Sequence, residues 1–252
     1  MQKFFLILGL IFIIGLLSIL VTLYRTKLTA IPGDYYQIKV NAYSMSFYSS
    51  DLKQRLFSIS PYDDYYYDGL YKDHFVNQNS FKESKDFSKS PIWILKALLT
   101  QKQYVVWTAY GKNGSSIEYQ VINSPGGEIE IIREAKNVSH NPDSIGQSIV
   151  YCESCIIVDQ NKRVFFSSEE FSREKVDFAN SLGLTPVVLS GELLPSDVTK
   201  VSLLDLNGNL KVTIPINNQQ AFLNKKWRIL EIKFPRPTNK AITSSQTIKF
   251  EK

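Results

Sequence analysis

Residues 104–134 read YVVWTAYGKNGSSIEYQVINSPGGEIEIIRE, and this stretch decides the fold. Three runs rich in Val, Ile and aromatic residues, which favour strands, are separated by GKNG and SPGG, which favour turns. Short loops of this kind join neighbouring strands that run antiparallel to each other. The stretch therefore predicts a three-stranded antiparallel meander.

Strand-like runs continue on both sides of the meander. Residues 35–48 alternate between two faces with a period of two, as a half-buried strand does. After the meander, strands are predicted at 148–158, 164–166, 185–189, 200–206, 210–216 and 226–234. Residues 58–90 show no sustained periodicity, and we expect a long loop there.

Two short helices are predicted between these strands. Ser90-Pro91 is a typical helix start, and it predicts a helix that continues to about Gln101. Ser167 and Glu170 have the spacing of a capping box, which predicts a second helix from about 168 to 182.

The N-terminal segment Phe4–Tyr24 contains 21 residues without a charge. A helix of this length rises about 31 Å, roughly the thickness of the hydrocarbon core of a bilayer. We interpret it as a transmembrane anchor between a tail (1–3) and a linker (25–34), with a cleaved signal peptide as the alternative. A short tail before a long apolar run is also typical of export signals, so the expected location is single-pass in a membrane, with the bulk extracytoplasmic.

The remaining chain divides at the polar segment 135–147. This gives a β-rich region with the meander (35–135) and a second β-rich region with one helix (148–250), unless the two form one continuous domain. The predicted fold is thus a single N-terminal transmembrane helix followed by a mostly antiparallel β (α+β) domain with two short helices.

Composition and charge exclude some classes of protein and suggest some classes of partner. The 252 residues are 44% hydrophobic and 21% charged, which excludes a disordered chain, a collagen and a disulfide-dense mini-protein. Residues 222–252 carry eight Lys or Arg and two Glu, which suggests contact with an anionic lipid, acidic subunit or cell-wall polymer, unless the residues are simply solvated. Nucleic acid is not expected for an exported domain. The candidate basic contacts are Lys225, Lys226, Arg228, Lys233 and Arg236.

The chain has two cysteines, Cys152 and Cys155, in the sequence CESC. Their flanks resemble strands, so the lowered thiol pKa of a helix N-terminus is not expected. The pair is predicted to be a local disulfide or two thiols in a strand, and a thiol–disulfide exchange site is the alternative. Metal binding would need further ligands, for which His74 and His140 are the available histidines. No metal site and no cofactor are predicted.

The segment 62–74, YDDYYYDGLYKDH, contains five tyrosines and four aspartates. An EF-hand is rejected, because Tyr66 and Phe75 occupy ligand positions of the loop. Tyrosine combines a stacking face with a hydroxyl group, so the cluster suggests contact with a glycan or a partner; packing of the rings on the domain is the alternative. The candidates are Tyr62, Tyr65, Tyr66, Tyr67, Asp68 and Tyr71.

Two short stretches resemble type I signal peptidases. Ser44-Met45 lies after the predicted anchor, and residues 121–127 (VINSPGG) are similar to the later stretch that contains the lysine base of that family. Tyr119-Gln120 stand where Lys-Arg would be, so Ser44 lacks a base. The resemblance implies an inactive relative of that family.

The sequence contains no G-x-S-x-G, H-E-x-x-H, Walker or dinucleotide-binding motif. No catalytic residue is therefore predicted, and the chain is expected to be a non-enzyme. The leading hypothesis is an exported β-rich binding domain that serves as an accessory or assembly subunit of an envelope membrane complex. The alternatives are a thiol–disulfide protein and a glycan- or lipid-binding surface module.

Overall fold

The computed structural model describes residues 7, 9–18, 35–51, 53–100, 102–124, 126–138, 142–205, 210–235 and 242–251. Three short helices lie in these ranges: α1 (9–18), α2 (Pro91–Thr100) and α3 (Arg173–Ser181). The strands are β1 (Tyr36–Val40), β2 (Met45–Ser49), β3 (Arg55–Ile59), β4 (Tyr65–Asp68), β5 (Tyr71–His74), β6 (Phe81–Asp86), β7 (Gln103–Gly111), β8 (Ser116–Ser124), β9 (Glu128–Lys136), β10 (Ser144–Tyr151), β11 (Ile156–Asp159), β12 (Arg163–Ser167), β13 (Thr185–Leu189), β14 (Lys200–Leu204), β15 (Leu210–Pro215), β16 (Gln220–Asn224), β17 (Ile229–Pro235) and β18 (Ile242–Phe250).

The strands form two sheets. Sheet 1 has eight strands, six of them in the order β1-β2-β3-β10-β17-β16, with the β4–β5 hairpin attached to β10. Sheet 2 has ten strands in the order β13-β12-β11-β14-β15-β18-β9-β8-β7-β6. Neighbouring strands run antiparallel except β12 and β13, which are parallel and are connected through α3. Each sheet combines strands from the first and the second half of the chain.

The main core lies between the two sheets. Phe47 and Phe57 of sheet 1 stack with ring centres 4.3 Å apart, and Phe250 of sheet 2 lies 5.9 Å from Phe57. Along β9, residues 129, 131, 133 and 135 are buried and their neighbours are more exposed, as expected for a strand with one face on the core. The molecule is therefore a sandwich whose layers pack through alternate side chains.

The predicted meander corresponds to β7, β8 and β9, which pair antiparallel along their whole lengths. Residues 58–90, expected to be a long loop, instead contain β4, β5 and β6. The β4–β5 hairpin turns at Gly69, whose φ of 58° favours glycine. Tyr66 is buried, Tyr65 and Tyr67 are half-buried, and Tyr71 is exposed. Since all four are the same residue type, the sequence shows no alternation of apolar and polar residues there.

The prediction of a transmembrane helix over 4–24 is wrong. Within this range the structure describes residue 7 and helix α1, which has ten residues. Ten residues of α-helix rise about 15 Å, half of the roughly 30 Å of a bilayer core. In the described ranges no helix is both long and apolar enough to cross a membrane, and the predicted single-pass membrane location is not supported. The rest of 4–24, the tail 1–3 and the linker 25–34 lie outside the described residues.

The predicted helix 168–182 is shorter in the structure. Ser172 is the N-cap of α3, and its hydroxyl accepts a hydrogen bond from the N–H of Lys175. Glu170 accepts hydrogen bonds from the N–H and the hydroxyl of Ser167, so the capping-box pair closes a turn before the helix. Gly183, with a φ of 68°, follows its C-terminus.

Candidate functional site

An open cleft of about 650 Å³ lies on the outer face of sheet 1. We call it the aromatic cleft. It is lined by Ser58, Tyr62, Asp63, Tyr65, His74, Asn77, Gln78, Asn79, Val150, Trp227 and Ile229. Three aromatic side chains, an imidazole, a carboxyl group and three side-chain amides thus surround one space.

The floor of the aromatic cleft is a row across three strands. Ser58 of β3 pairs with Val150 of β10, which pairs with Ile229 of β17. Neighbours of these residues, such as Phe57 and Ile149, belong to the core between the sheets. Because side chains alternate along a strand, the row points away from the core and towards the cleft.

The walls come from four loops or hairpins, one of which is the β5–β6 loop with the three amide side chains. Tyr62 and Asp63 lie between β3 and β4, and Tyr65 pairs with His74 across the β4–β5 hairpin. Trp227 lies in the turn between β16 and β17, where its backbone N–H donates to the side-chain oxygen of Asn224 at 3.0 Å. Its side chain is 64% exposed, which is unusual for tryptophan in a chain with a large core.

Ring contacts hold two of these walls in place. The rings of Tyr65 and His74 have centres 4.3 Å apart, and the ammonium of Lys72 lies 4.0 Å from the centre of the Tyr65 ring. Tyr62 packs edge-on against Phe81, with ring centres 5.6 Å apart. The cleft is therefore preformed on the hairpin side, whereas Trp227 projects into solvent.

The charge of the cleft is neutral to negative. Burial raises the pKa of Asp63 to about 6, the negative charge of Asp64 acts in the same direction, and a hydrogen bond with Ser60 opposes them. Burial lowers the pKa of His74 below its ordinary value, with Asp73 opposing. At pH 7 the imidazole is neutral and the carboxyl group of Asp63 is mainly ionised.

A buried ion pair lies behind the cleft, between the two sheets. Asp64 is 0% and Arg133 is 2% exposed, and Nε of Arg133 lies 2.8 Å from Oδ2 of Asp64. The N–H of Ser148 donates to Oδ1 of Asp64 at 2.7 Å, and the guanidinium of Arg133 donates to Oε1 of Gln147 at 2.7 Å. Because both charges are hydrogen-bonded and buried, we assign them a structural role.

A second polar cluster joins the β4–β5 hairpin to β17. Glu231 accepts hydrogen bonds from the hydroxyl of Tyr67 and, at 2.8 Å, from Nζ of Lys72. The ammonium of Lys233 lies 4.5 Å from the centre of the Tyr67 ring. Burial raises the pKa of Glu231 to about 8; the charge of Asp64 adds to the shift and Lys233 opposes it.

The structure separates the six residues of the predicted tyrosine cluster. Tyr62 and Tyr65 line the cleft, whereas Tyr66 is buried beside Phe75 and Tyr67 contacts Glu231. The other two, Asp68 and Tyr71, face each other at the exposed tip of the hairpin. The cluster therefore contributes two side chains to the cleft.

Four of the five predicted basic contacts lie in the described part of the chain, and each of the four is close to another side chain. Lys225 lies 4.0 Å from Glu170, Arg228 lies 3.4 Å from Glu153, and Lys226 lies over the ring of Trp227. Lys233 contacts the Tyr67 ring, and Arg236 lies outside the described residues. These charges are mainly engaged with neighbouring side chains.

Cys152 and Cys155 are joined by a disulfide in the turn between β10 and β11. Both are buried, and the N–H of Cys155 donates to the C=O of Cys152 at 3.2 Å. The side-chain amide of Gln54 donates to the hydroxyl of Ser154 at 3.0 Å, which ties the turn to sheet 1. A buried disulfide without an adjacent helix N-terminus favours a structural bridge over an exchange site.

Ser44, the serine that resembles a signal-peptidase nucleophile, lies in the turn between β1 and β2. Its hydroxyl is hydrogen-bonded to the side chain of Asn41 at 3.1 Å. Tyr119, where the family has a basic residue, is fully buried in the core. Within the described part of the chain no titratable side chain is hydrogen-bonded to the Ser44 hydroxyl, so a serine nucleophile has no base here.

The sequence did not indicate the role of Trp227 in the cleft or of Arg133 in the buried ion pair. Trp227 stands in the segment NKKWR, where we considered the basic residues and not the tryptophan between them. Arg133 occupies an inward position of β9, in register with Ile129 and Ile131. A charge at an inward position of an alternating strand indicates a buried partner. That partner, Asp64, is 69 positions away, and its segment shows no alternation that would indicate burial.

No protein-family model matches the chain, and no curated protein is significantly similar to it.

Proposed function

We propose that the chain is a carbohydrate-binding domain and that the aromatic cleft holds the sugar. The observation that carries the proposal is the placement of Trp227, Tyr62 and Tyr65 around one open cleft. Aromatic rings cover the apolar C–H face of a sugar ring, and their burial is favourable. Trp227 is 64% exposed, so its ring remains accessible to a sugar although the ammonium of Lys226 lies 5.4 Å from the ring centre.

The polar groups of the cleft suit sugar hydroxyls. Asn77, Gln78 and Asn79 supply amide donors and acceptors, and Asp63 supplies a carboxylate that accepts two or more hydrogen bonds. A few polar groups that fix orientation within an aromatic lining are typical of small-molecule sites, and 650 Å³ lies in their usual range of roughly 300–1,000 Å³. Since the charge at pH 7 is negative, neutral sugars are favoured over acidic ones.

Binding is supported better than hydrolysis. A glycosidase of the common type needs two carboxyl groups about 5 to 10 Å apart that flank the sugar. Among the described residues that line the cleft, Asp63 is the one carboxyl group. Its neighbour Asp64 is bound to Arg133 between the sheets and does not line the cleft.

The test is a screen of neutral oligosaccharides by glycan array, followed by calorimetry on the full chain. We expect Trp227→Ala to weaken the binding of a neutral sugar by at least about tenfold, which is roughly 1.4 kcal/mol. Phe171→Ala is the matched control, because Phe171 is also exposed, at 46%, and lies outside the cleft. Failure of every neutral sugar to bind, or equal binding by Trp227→Ala, would show that the proposal is wrong.

A further inference from the structure

A second open cavity, of about 610 Å³, lies beside strand β13 at the edge of sheet 2. We call it the edge groove. One side is β13 itself, and the other is formed by the segment 190–198 and by residues near the start of β16. It shares no lining residue with the aromatic cleft.

Strand β13 offers unpaired backbone groups on the side away from β12. The N–H of Thr185 donates to the C=O of Lys162 at 2.8 Å, so residues 185, 187 and 189 direct their backbone groups towards β12. The intervening residues Pro186 and Val188 direct theirs outward. In the described part of the chain no strand pairs with β13 on that side, and the outward groups are the C=O of Pro186 and both groups of Val188.

The groove has an apolar interior. Leu189, Leu194, Val198 and Ile216 are buried members of the core, and all four line the groove. Leu193, at its rim, is exposed. Side chains of a strand placed beside β13 would alternate between this interior and solvent, because successive side chains point to opposite faces.

The edge of sheet 1 at β16, which lies beside the groove, is covered by a neighbouring segment, whereas the edge of sheet 2 at β13 has no such segment among the described residues. The N–H of Leu194 donates to the C=O of Ala221 at 2.9 Å, and the N–H of Leu223 donates to the C=O of Glu192 at 2.6 Å. The segment 192–194 thus closes the edge of β16 in sheet 1. Native sheets cover or interrupt their edges in this way, and within β13 it is Pro186 that removes one outward donor.

We propose that the edge groove binds an extended peptide segment of a partner protein, which adds to β13 as a further strand. The partner segment has apolar residues at alternate positions and a Lys or Arg next to Glu192. Glu192 is the one charged side chain among the described residues that line the groove. One of its carboxylate oxygens accepts a hydrogen bond from the side-chain amide of Asn224, which is neutral, so the complementary charge on the peptide is positive. Main-chain hydrogen bonds to an exposed edge supply affinity in this mode, and the apolar pockets supply specificity.

Pro186 limits the length of the added strand. Because Pro186 has no N–H, the incoming peptide finds one outward donor, at Val188, and two outward acceptors. The contact is therefore short and centred on Val188. An apolar small molecule would fill the interior but would leave these backbone groups unpaired.

The test uses the full chain and a library of hexapeptides that alternate valine or leucine with serine behind an N-terminal lysine. We expect binding with shifts of the Val188 amide resonance in NMR spectra. N-methylation of the peptide nitrogens that face β13 should weaken binding at least tenfold. Loss of binding by N-methylation needs no protein variant, so it remains decisive if a variant fails to fold.

A pair of variants tests the same contact from the protein side. Val188→Pro removes the outward donor without removing a bond to β12, and it should weaken peptide binding at least tenfold. Val188→Thr keeps the donor and the branched side chain, and it should bind as the wild type does. The proposal is wrong if no library member binds, if N-methylated peptides or Val188→Pro bind equally well, or if only an apolar small molecule such as decanoate occupies the groove.

Discussion

Asp63 and Asp64 are neighbours in the chain, yet they lie in different regions of the molecule. Asp64 is buried between the sheets and is bound to Arg133 and to the N–H of Ser148. Asp63 lines the aromatic cleft, and the charge that most affects its pKa is the negative one of Asp64. The comparison shows that two neighbouring carboxyl groups can have different surroundings: burial raises the pKa of both, but of the two it is Asp64 that has a buried cationic partner.

The largest expected effect is at Asp64. Asp64→Ala leaves the guanidinium of Arg133 buried without its partner, and we expect a loss of about 3–5 kcal/mol in the free energy of unfolding. Denaturation by guanidinium chloride, followed by tryptophan fluorescence, measures it. A double variant, Asp64→Leu with Arg133→Met, removes both charges and should recover much of the loss. A loss below about 1 kcal/mol in the single variant would contradict the structural role.

Glu231 tests a second buried carboxyl group, and burial raises its pKa to about 8. Between pH 4.5 and 8 the unfolded chain has released this proton and the folded chain retains it. The stabilising contribution is therefore full below about pH 4.5 and is lost as the pH rises to 8. The free energy of unfolding of the wild type therefore falls over this pH range, and we expect Glu231→Gln to reduce the fall by up to about 2 kcal/mol. Urea unfolding curves across that range measure it. An unchanged slope in the variant would count against the raised pKa.

The smallest expected effect is at Asp63, and its sign is opposite to that at Asp64. The pKa of Asp63 is raised to about 6, so the wild type loses stability as the pH rises from about 4 to 6. Asp63→Asn should therefore be slightly more stable than the wild type at pH 8, by less than about 1 kcal/mol, and equal to it at pH 3.5. Thermal melts at the two pH values measure this, with Asp68→Asn, at the exposed hairpin tip, as the control. If Asp63→Asn were less stable than the wild type at pH 8, the expected difference in sign between the Asp63 and Asp64 variants would be wrong.

The sequence predicted correctly those strands and helices whose own residues show a clear local pattern. The runs in 104–134 correspond to β7, β8 and β9, and Ser90-Pro91 precedes helix α2. Strands β16 and β18 were not predicted. Their segments, QAFLN and ITSSQTIKF, are short or polar on one face, so pairing with β17 and β9 decides their conformation more than their own propensity does.

The sequence indicated some of the residues of the aromatic cleft but not all of them. The density of tyrosines at 62–71 pointed to Tyr62 and Tyr65, but it did not separate them from Tyr66, which is buried. Trp227 comes from a hairpin more than 150 positions away, and no local pattern links it to these tyrosines. The edge groove was not visible at all, because a free edge is a property of strand order.

The sequence by itself determined that the chain is rich in strands, where the meander lies and that Cys152 and Cys155 are close enough to join. These features depend on alternation, turn residues and short separations, which act within a few positions. The tertiary structure alone decided the strand order, the pairing of Asp64 with Arg133, the meeting of Trp227 with the β4–β5 hairpin and the open edge of β13. Each of these joins residues that are distant in the chain, and the burial that holds them together exists once the two sheets have packed.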